Sequence, residues 1–395
     1  MKTLTAVLAA FSLVSMLGAG AGAQVSGQPY ELNAIIPLTG GGAFLGKAYT
    51  EAFRAVENVV NRTGGIQGHP LKFVVSDSQT NPQVSLQLVN GLVAKHAAAF
   101  IDGGPAAVCS SSVPAVLNSG PLDYCLSPGI HPPGGSYVFS SSVSTEDLAK
   151  ILVRYFRNRN WTRLALITST DTTGQDLDRQ IDTVLALPEN KGVQLVAHEH
   201  FNTGDLSVAA QMAHIKSANP QAVITWSTGT PFGTLLHGLT DAGIEVPVSS
   251  TDGNQTFAQM KAYGSFLPKA LYFPSTLAIT PSAYAPRVIR KAQDVYFGAF
   301  REIGVRPDLA HNLVWDPAMI LVDALRHLGP SATAQQLRDY ILKLHAWVGV
   351  NGVYDFTTGD QRGLTQSSAA MDLWDSAKDN WIQVSRPGGA PISAR

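Results

Sequence analysis

Apolar residues fall along this chain in short runs and in spaced sets, and the two kinds alternate. ELNAIIPL (31–38) is a run closed by Pro37 and a glycine cluster, the pattern of a buried strand entering a loop. From Gly46 to Asn61 the apolar positions 48, 52, 53, 56, 59 and 60 follow helical spacing, and Gly64-Gly65 stops the helix. LKFVVSD (71–77) predicts a strand, SLQLVNGLVAK (85–95) a helix and AAAFIDGG (97–104) a strand. SSVPAVLNSG (111–120) predicts a helix with Pro114 in its first turns, and LDYCLSP (122–128) a further strand.

The alternation restarts after Ser144. Residues 148–157 and 177–186 are helical and flank the strand RLALITST (163–170). GVQLVAHEH (192–200), AVITWST (222–228) and VPVSSTDG (246–253) supply three more strands, with helices over 205–217 and 231–242 between them. Strands separated by helices of this length predict parallel sheets covered on both faces, and two such blocks predict two Rossmann-like α/β lobes. Residues 285–345 read as mostly helical, with a course back to the first lobe. NGVYDFTTGD (351–360) reads as a hairpin-bearing tail near the hinge. Ligands of open parallel sheets sit beyond the carboxyl ends of the strands. That directs attention to the loops 37–46, 103–112, 127–131, 169–174, 226–230 and 251–255, rich in Gly, Ser and Thr and poor in charge.

Composition narrows the setting. With 28 Lys plus Arg against 29 Asp plus Glu, the chain carries no surplus charge for nucleic acid or a membrane surface. The first residues, MKTLTAVLAAFSLVSMLGAGAGAQ, contain a basic start, an apolar stretch over 4–17 and the small-x-small site Ala21-Gly22-Ala23. This predicts a signal peptide over 1–23, cleavage after Ala23 and a periplasmic location. Two cysteines in an exported chain predict one disulfide, Cys109 with Cys125; two buried free thiols are the other reading.

GGAFLGKA (41–48) resembles a phosphate-binding loop, but Ala48 stands where a hydroxyl would hold Mg²⁺, and an exported protein meets no ATP. His198 and His200 share one side of a strand, but no third metal ligand is evident near them in sequence, so they read as a polar strand end. No G-x-S-x-G, H-E-x-x-H or C-x-x-C pattern occurs. We therefore expect no enzyme, no metal and no cofactor.

PLTGGGAFLG followed by NRTGGIQGHPLKFVVSDSQTNP resembles the opening of the periplasmic branched-chain amino-acid-binding proteins of LivJ/LivK type. CSSS (109–112), SP (127–128), DTTG (171–174), TGTPFGTLLHGLTDAGI (228–244) and VYDF (353–356) extend the resemblance over nearly the whole chain. It implies a type I periplasmic binding fold, two lobes joined by a three-crossing hinge. One lobe would be 28–144 plus 276–346, the other 145–275 plus 347–395. The implied function is the solute-binding component of an ABC importer, a monomer that captures a small carboxylate with an apolar body and delivers it to permease subunits. A periplasmic sensor or an exported hydrolase are the alternatives.

By the same resemblance, Ser110, with Ser111 beside it, would hold the ligand's carboxylate at a helix start, or else merely cap that helix. The spacing from CSSS to SP is two residues shorter than in the amino-acid binders. Ser127, Gly129 and His131 match the next contact loop. Thr173, Thr228 and Leu45 stand where the family often has tyrosines, leaving Phe44 and Trp226 as candidate walls; Trp226 reads equally well as core. Asp252 falls where a carboxylate meets the ligand's ammonium, or it caps a helix, and Asn254 offers a neutral contact in the same loop.

Overall fold

The computed structural model describes residues 25–279 and 284–392; the expected signal peptide lies outside them. The first sheet contains β1 (Tyr30–Ile36), β2 (Leu71–Asp77), β3 (Ala99–Asp102), β4 (Leu122–Cys125) and β5 (Val138–Ser140), in the order β2-β1-β3-β4-β5 and parallel throughout. α1 (Ala43–Arg62), α2 (Pro82–Ala94) and α3 (Ala106–Val116) connect these strands. α2 starts where its sequence says it should: the Asn81 side chain accepts from the Gln83 and Val84 amides, and Pro82 takes the first turn, where no amide is needed. Alternate side chains of each strand enter different cores. Ala34, Ile36, Ile101 and Tyr124 pack toward α1, while Ile35, Phe100 and Cys125 pack toward α2 and α3. Cys109 and Cys125 are disulfide-bonded within that second cluster, joining α3 to β4 with Cα atoms 5.9 Å apart.

The second sheet is built from β6 (Arg163–Ser169), β7 (Gln194–Phe201), β8 (Ala222–Trp226), β9 (Val248–Ser250) and β10 (Leu271–Thr276). α4 (Thr145–Asn158) leads into it, and α5 (Thr172–Leu185), α6 (Ala209–Ser217), α7 (Pro231–Asp241) and the short α8 (Phe257–Ala262) connect its strands. The chain then forms α9 (Arg287–Glu302), α10 (Leu309–Leu328) and α11 (Ala334–Ile341); α9 and α10 pack on α1, and α11 reaches β4. A small hairpin of β11 (Trp347–Val348) and β12 (Val353–Tyr354) follows. The tail returns as β13 (Ala369–Asp375) and β14 (Asn380–Gln383), two antiparallel strands that complete the order β14-β13-β10-β9-β8-β6-β7. The predicted strand–helix alternation thus appears as two sheet-bearing lobes. β5, β10, β13 and β14 were not expected: β5 is three residues long, and β13 gains its place by pairing with β10, far away in sequence, with β14 folding back on β13.

Chain reversals on either side of β1 and of β6 make a crevice at the carboxyl edge of each sheet, and the two crevices face one another. Gly46 lies in α1 where it crosses the end of β1. A Cβ there would sit 2.0 Å from the Pro37 carbonyl oxygen, so the glycine of the phosphate-loop-like stretch serves helix–strand packing. Lys47 beside it is exposed.

The crossing segments are stitched by two buried side chains that adjoin in sequence. Gln361 donates to the Ser136 and Val138 carbonyls, both at 2.9 Å, and accepts from the Gly135 amide. Arg362 donates to the carbonyls of Ser141 (2.9 Å), Ser142 (3.3 Å), Pro128 (3.1 Å) and Ile130. Its guanidinium therefore holds the first crossing, after β5, against the loop that follows β4.

Two substitutions test these packing arguments. Gly46→Ala should lower unfolding free energy by roughly 1–3 kcal/mol, because the methyl group must displace backbone. Arg362→Lys keeps the charge but loses the planar fork, and should cost roughly 1–3 kcal/mol by leaving buried carbonyls unpaired. Denaturant midpoints equal to the parent's would refute either one.

Candidate functional site

Between the lobes lies a narrow cavity of about 30 Å³. One wall comes from the first lobe: Leu45 and Tyr49 of α1, the turn Gly104-Pro105-Ala106 at the start of α3, and the loop Leu126–Gly129. The other comes from the second lobe: Thr145, Thr173, Trp226, Thr228 and the run Thr251–Gly253; Leu313 of α10 completes the lining. Each lobe contributes from the loops at its own sheet's point of reversal. The lips meet beyond the cavity, where the Thr230 amide donates to the Gly41 carbonyl at 3.3 Å. Gly229, at φ +90°, approaches so closely that a Cβ would stand 2.5 Å from that carbonyl oxygen.

α3 begins at Ala106, with Pro105 before it. The amides of its first turn have no carbonyls above them to bond, and with the helix dipole they offer an anion a positive end. Opposite stands Asp252, fully buried, which accepts from Thr251 Oγ1 at 3.1 Å and Ser142 Oγ at 3.2 Å. Burial pushes its pKa up to about 6, against the pull of those hydroxyls, the Gly253 amide and distant Arg362. None of the residues lining the cavity is Lys, Arg or His. The hydroxyls of Tyr49 and Thr173 are buried without a hydrogen-bond partner among the described residues, two polar groups that a solute could satisfy.

The structure brings together seven of the residues singled out from sequence: Leu45, Ser127, Gly129, Thr173, Trp226, Thr228 and Asp252 all line the cavity. Trp226 is both wall and core, only 1% exposed. The others sit elsewhere. Ser110 lies a full turn inside α3, its Oγ donating to the Ala106 carbonyl at 2.7 Å, and Ser111 bonds the Val108 carbonyl in the same way. The helix starts earlier than expected because Pro105 fixes its entry, so CSSS has shifted away from the helix end. His131 turns across the cleft to Asp176 of α5 at 2.8 Å and stays 43% exposed. Burial raises the Asp176 carboxyl, but hydrogen bonds from His131 and Thr145 and the charge of Arg179 leave it below the ordinary range. Phe44 makes an edge contact with Tyr263 of the opposite lobe, ring centres 6.3 Å apart.

Asn254 is a brace. It accepts from the Gly229 amide at 3.0 Å and donates to the Ser227 carbonyl and Ser250 Oγ, fixing the loop that carries Thr228. Sequence reasoning missed Tyr49, Ala106, Thr145 and Leu313. Tyr49 follows Leu45 by one helical turn, a spacing that could have revealed it; Leu313 arrives from a distant helix, and nothing local marks it.

An amino acid binding protein of Pseudomonas aeruginosa is 26% identical over 226 residues, covering 55% of this chain and 59% of that relative; the chain thus matches little more than half of its length. Two solved structures share the fold. The branched-chain amino acid transporter substrate binding protein LivJ of Streptococcus pneumoniae, in complex with isoleucine, superposes with a TM-score of 0.71 at 17% identity over 88% of this chain and 96% of its own. A fatty acid ABC transporter substrate-binding protein of Thermomonospora curvata gives 0.76 at 17% identity over 92% and 93%. With the periplasmic binding protein family model matching residues 29–378, the chain belongs to the periplasmic binding protein family.

Proposed function

We propose that this chain is the extracytoplasmic solute-binding component of an ABC importer, and that its solute is an α-amino acid with an apolar side chain. The observation that carries the reading is Asp252, a fully buried carboxylate lining the cavity that also receives the amino end of α3. A zwitterion matches both poles at once: its carboxylate meets the free amides and its ammonium meets Asp252. Either charge buried without its partner would be strongly unfavourable. Leu45, Leu126, Trp226 and Leu313 surround the remainder with hydrocarbon and indole. The name of the Pseudomonas aeruginosa relative and the isoleucine in the Streptococcus pneumoniae structure support this reading; the fatty acid protein marks the competing solute class, an acid without an amine.

Protonation separates the two classes by sign. In the free protein Asp252 takes up a proton as pH falls through about 6. An ammonium needs the ionised form, so amino-acid affinity should fall below that pH, approaching about tenfold per unit. An amine-free acid gains from the neutral form and should bind more tightly as pH falls. Calorimetry with leucine, isoleucine, phenylacetate and short fatty acids between pH 5 and 7.5 decides between them. Leucine-class binding that weakens in acid and is lost in Asp252→Asn supports the proposal; affinity that is flat or rises in acid rejects it. Ser110→Ala, whose hydroxyl is already bonded inside α3, should change affinity by no more than roughly twofold.

A further inference from the structure

His198 and His200 leave the same side of β7, because strand side chains alternate and Glu199 takes the other side. β7 is the edge of the second sheet, and Asp178 of α5 meets both rings. Asp178 Oδ1 lies 2.9 Å from His198 Nε2, and Oδ2 lies 3.2 Å from His200 Nε2. The ring centres are 4.6 Å apart, and a ligating atom from each of the three residues lies within 4.8 Å of the others. Thr168 Oγ1 of β6 donates to the same carboxylate at 2.9 Å, fixing it from behind. Asp178 is 22% exposed, His198 31% and His200 49%, so the trio opens to solvent on the His200 side.

We infer that Asp178, His198 and His200 form a binding site for one divalent first-row transition-metal ion of the zinc class on the outer edge of the second lobe. Two imidazole nitrogens and one carboxylate oxygen are the donors such ions prefer, whereas Mg²⁺ and Ca²⁺ select all-oxygen sets. Bonds of about 2.0–2.2 Å would bring the donor atoms to roughly 3.3 Å from one another. The Asp178–His198 and Asp178–His200 pairs, at 2.9 and 3.2 Å, already stand at or inside that spacing, and small side-chain rotations would adjust the remaining separations, all within 4.8 Å. Each Nε2–H now donates to the Asp178 carboxylate; an incoming ion would displace these protons, to Nδ1 or to solvent, and take the freed Nε2 lone pairs. The fourth position is left to water, and the Thr168 hydroxyl orients the carboxylate as an outer-shell partner. The sequence shows the two histidines; the third ligand is twenty residues upstream on a helix, which is why spacing alone reads as a polar strand end. No second such trio occurs among the described residues. The ion would clip α5 to the sheet's edge, and α5 is the helix that brings Thr173 to the cavity.

The test uses tag-free full-length protein, stripped with a chelator and titrated with zinc chloride by calorimetry and with Co²⁺ by visible absorption. We expect one saturable equivalent, a Co²⁺ spectrum of low coordination number, and a melting temperature that rises with zinc. His198→Ala/His200→Ala and Asp178→Asn should each weaken zinc binding at least roughly tenfold. Both variants should keep the parent's solute affinity, and their melting temperatures should no longer rise with zinc, which separates loss of the site from loss of the fold. The absence of a saturable equivalent, or zinc affinity unchanged in the double variant, would overturn the assignment.

Discussion

A buried guanidinium with no salt bridge to a carboxylate among the described residues sets the geometry on which the cleft depends. Arg362 spreads its charge over carbonyl dipoles from two segments, Pro128 to Ile130 and Ser141 to Ser142. Burial lowers its pKa, while the surrounding carboxylates Asp360, Asp147 and Asp176 act the other way. The first segment is a wall of the cavity and the second is a crossing between lobes, so one side chain fixes the wall relative to the hinge. Carbonyls hold their places through the backbone, and four such dipoles need no flexible partner to be ordered with them. Wall and hinge are organised before any solute arrives.

The same economy governs the far lobe. Asn254 satisfies the Gly229 amide and the Ser227 carbonyl, so the Thr228 loop is rigid, and Asp252 is held by hydroxyls rather than by a cation. A lysine or arginine against Asp252 would neutralise the site from within and leave nothing for a ligand's ammonium. Burial raises its pKa and the hydroxyls orient it while pulling only part of the way back, so in the proposed reading a cationic group would be welcome there. In the proposed reading the anionic end of a solute would be met differently, by amides at a helix start, where the favourable potential comes from the fold itself.

Much of this was legible in the chain. Strands and helices were readable because their apolar periods differ, and Leu45, Thr173, Thr228 and Asp252 were reachable because each follows a strand in an α/β lobe. Legibility failed wherever the cause was not local. CSSS suggested a helix start at Ser110, but Pro105 enters the helix earlier and turns those hydroxyls onto backbone carbonyls. His131 was placed in the correct loop, yet its ring is captured by Asp176 from the opposite lobe, a partner no spacing rule announces. β13 exists through pairing with β10 and carries β14 with it, and Asp178 joins two histidines only because α5 brings it to β7. Pattern gives elements and their ends; what one element does to another requires the fold.

Gly229 gives the mouth of the cleft a particular character. Here the two jaws touch main chain to main chain, and the clearance between them is that of a hydrogen atom. This main-chain contact stands beside side-chain contacts that also cross the cleft, Phe44 with Tyr263 and His131 with Asp176. A side chain at Gly229 would act as a wedge at that point and favour a parted arrangement. In the proposed reading, entry and exit of the solute would follow one motion of whole lobes.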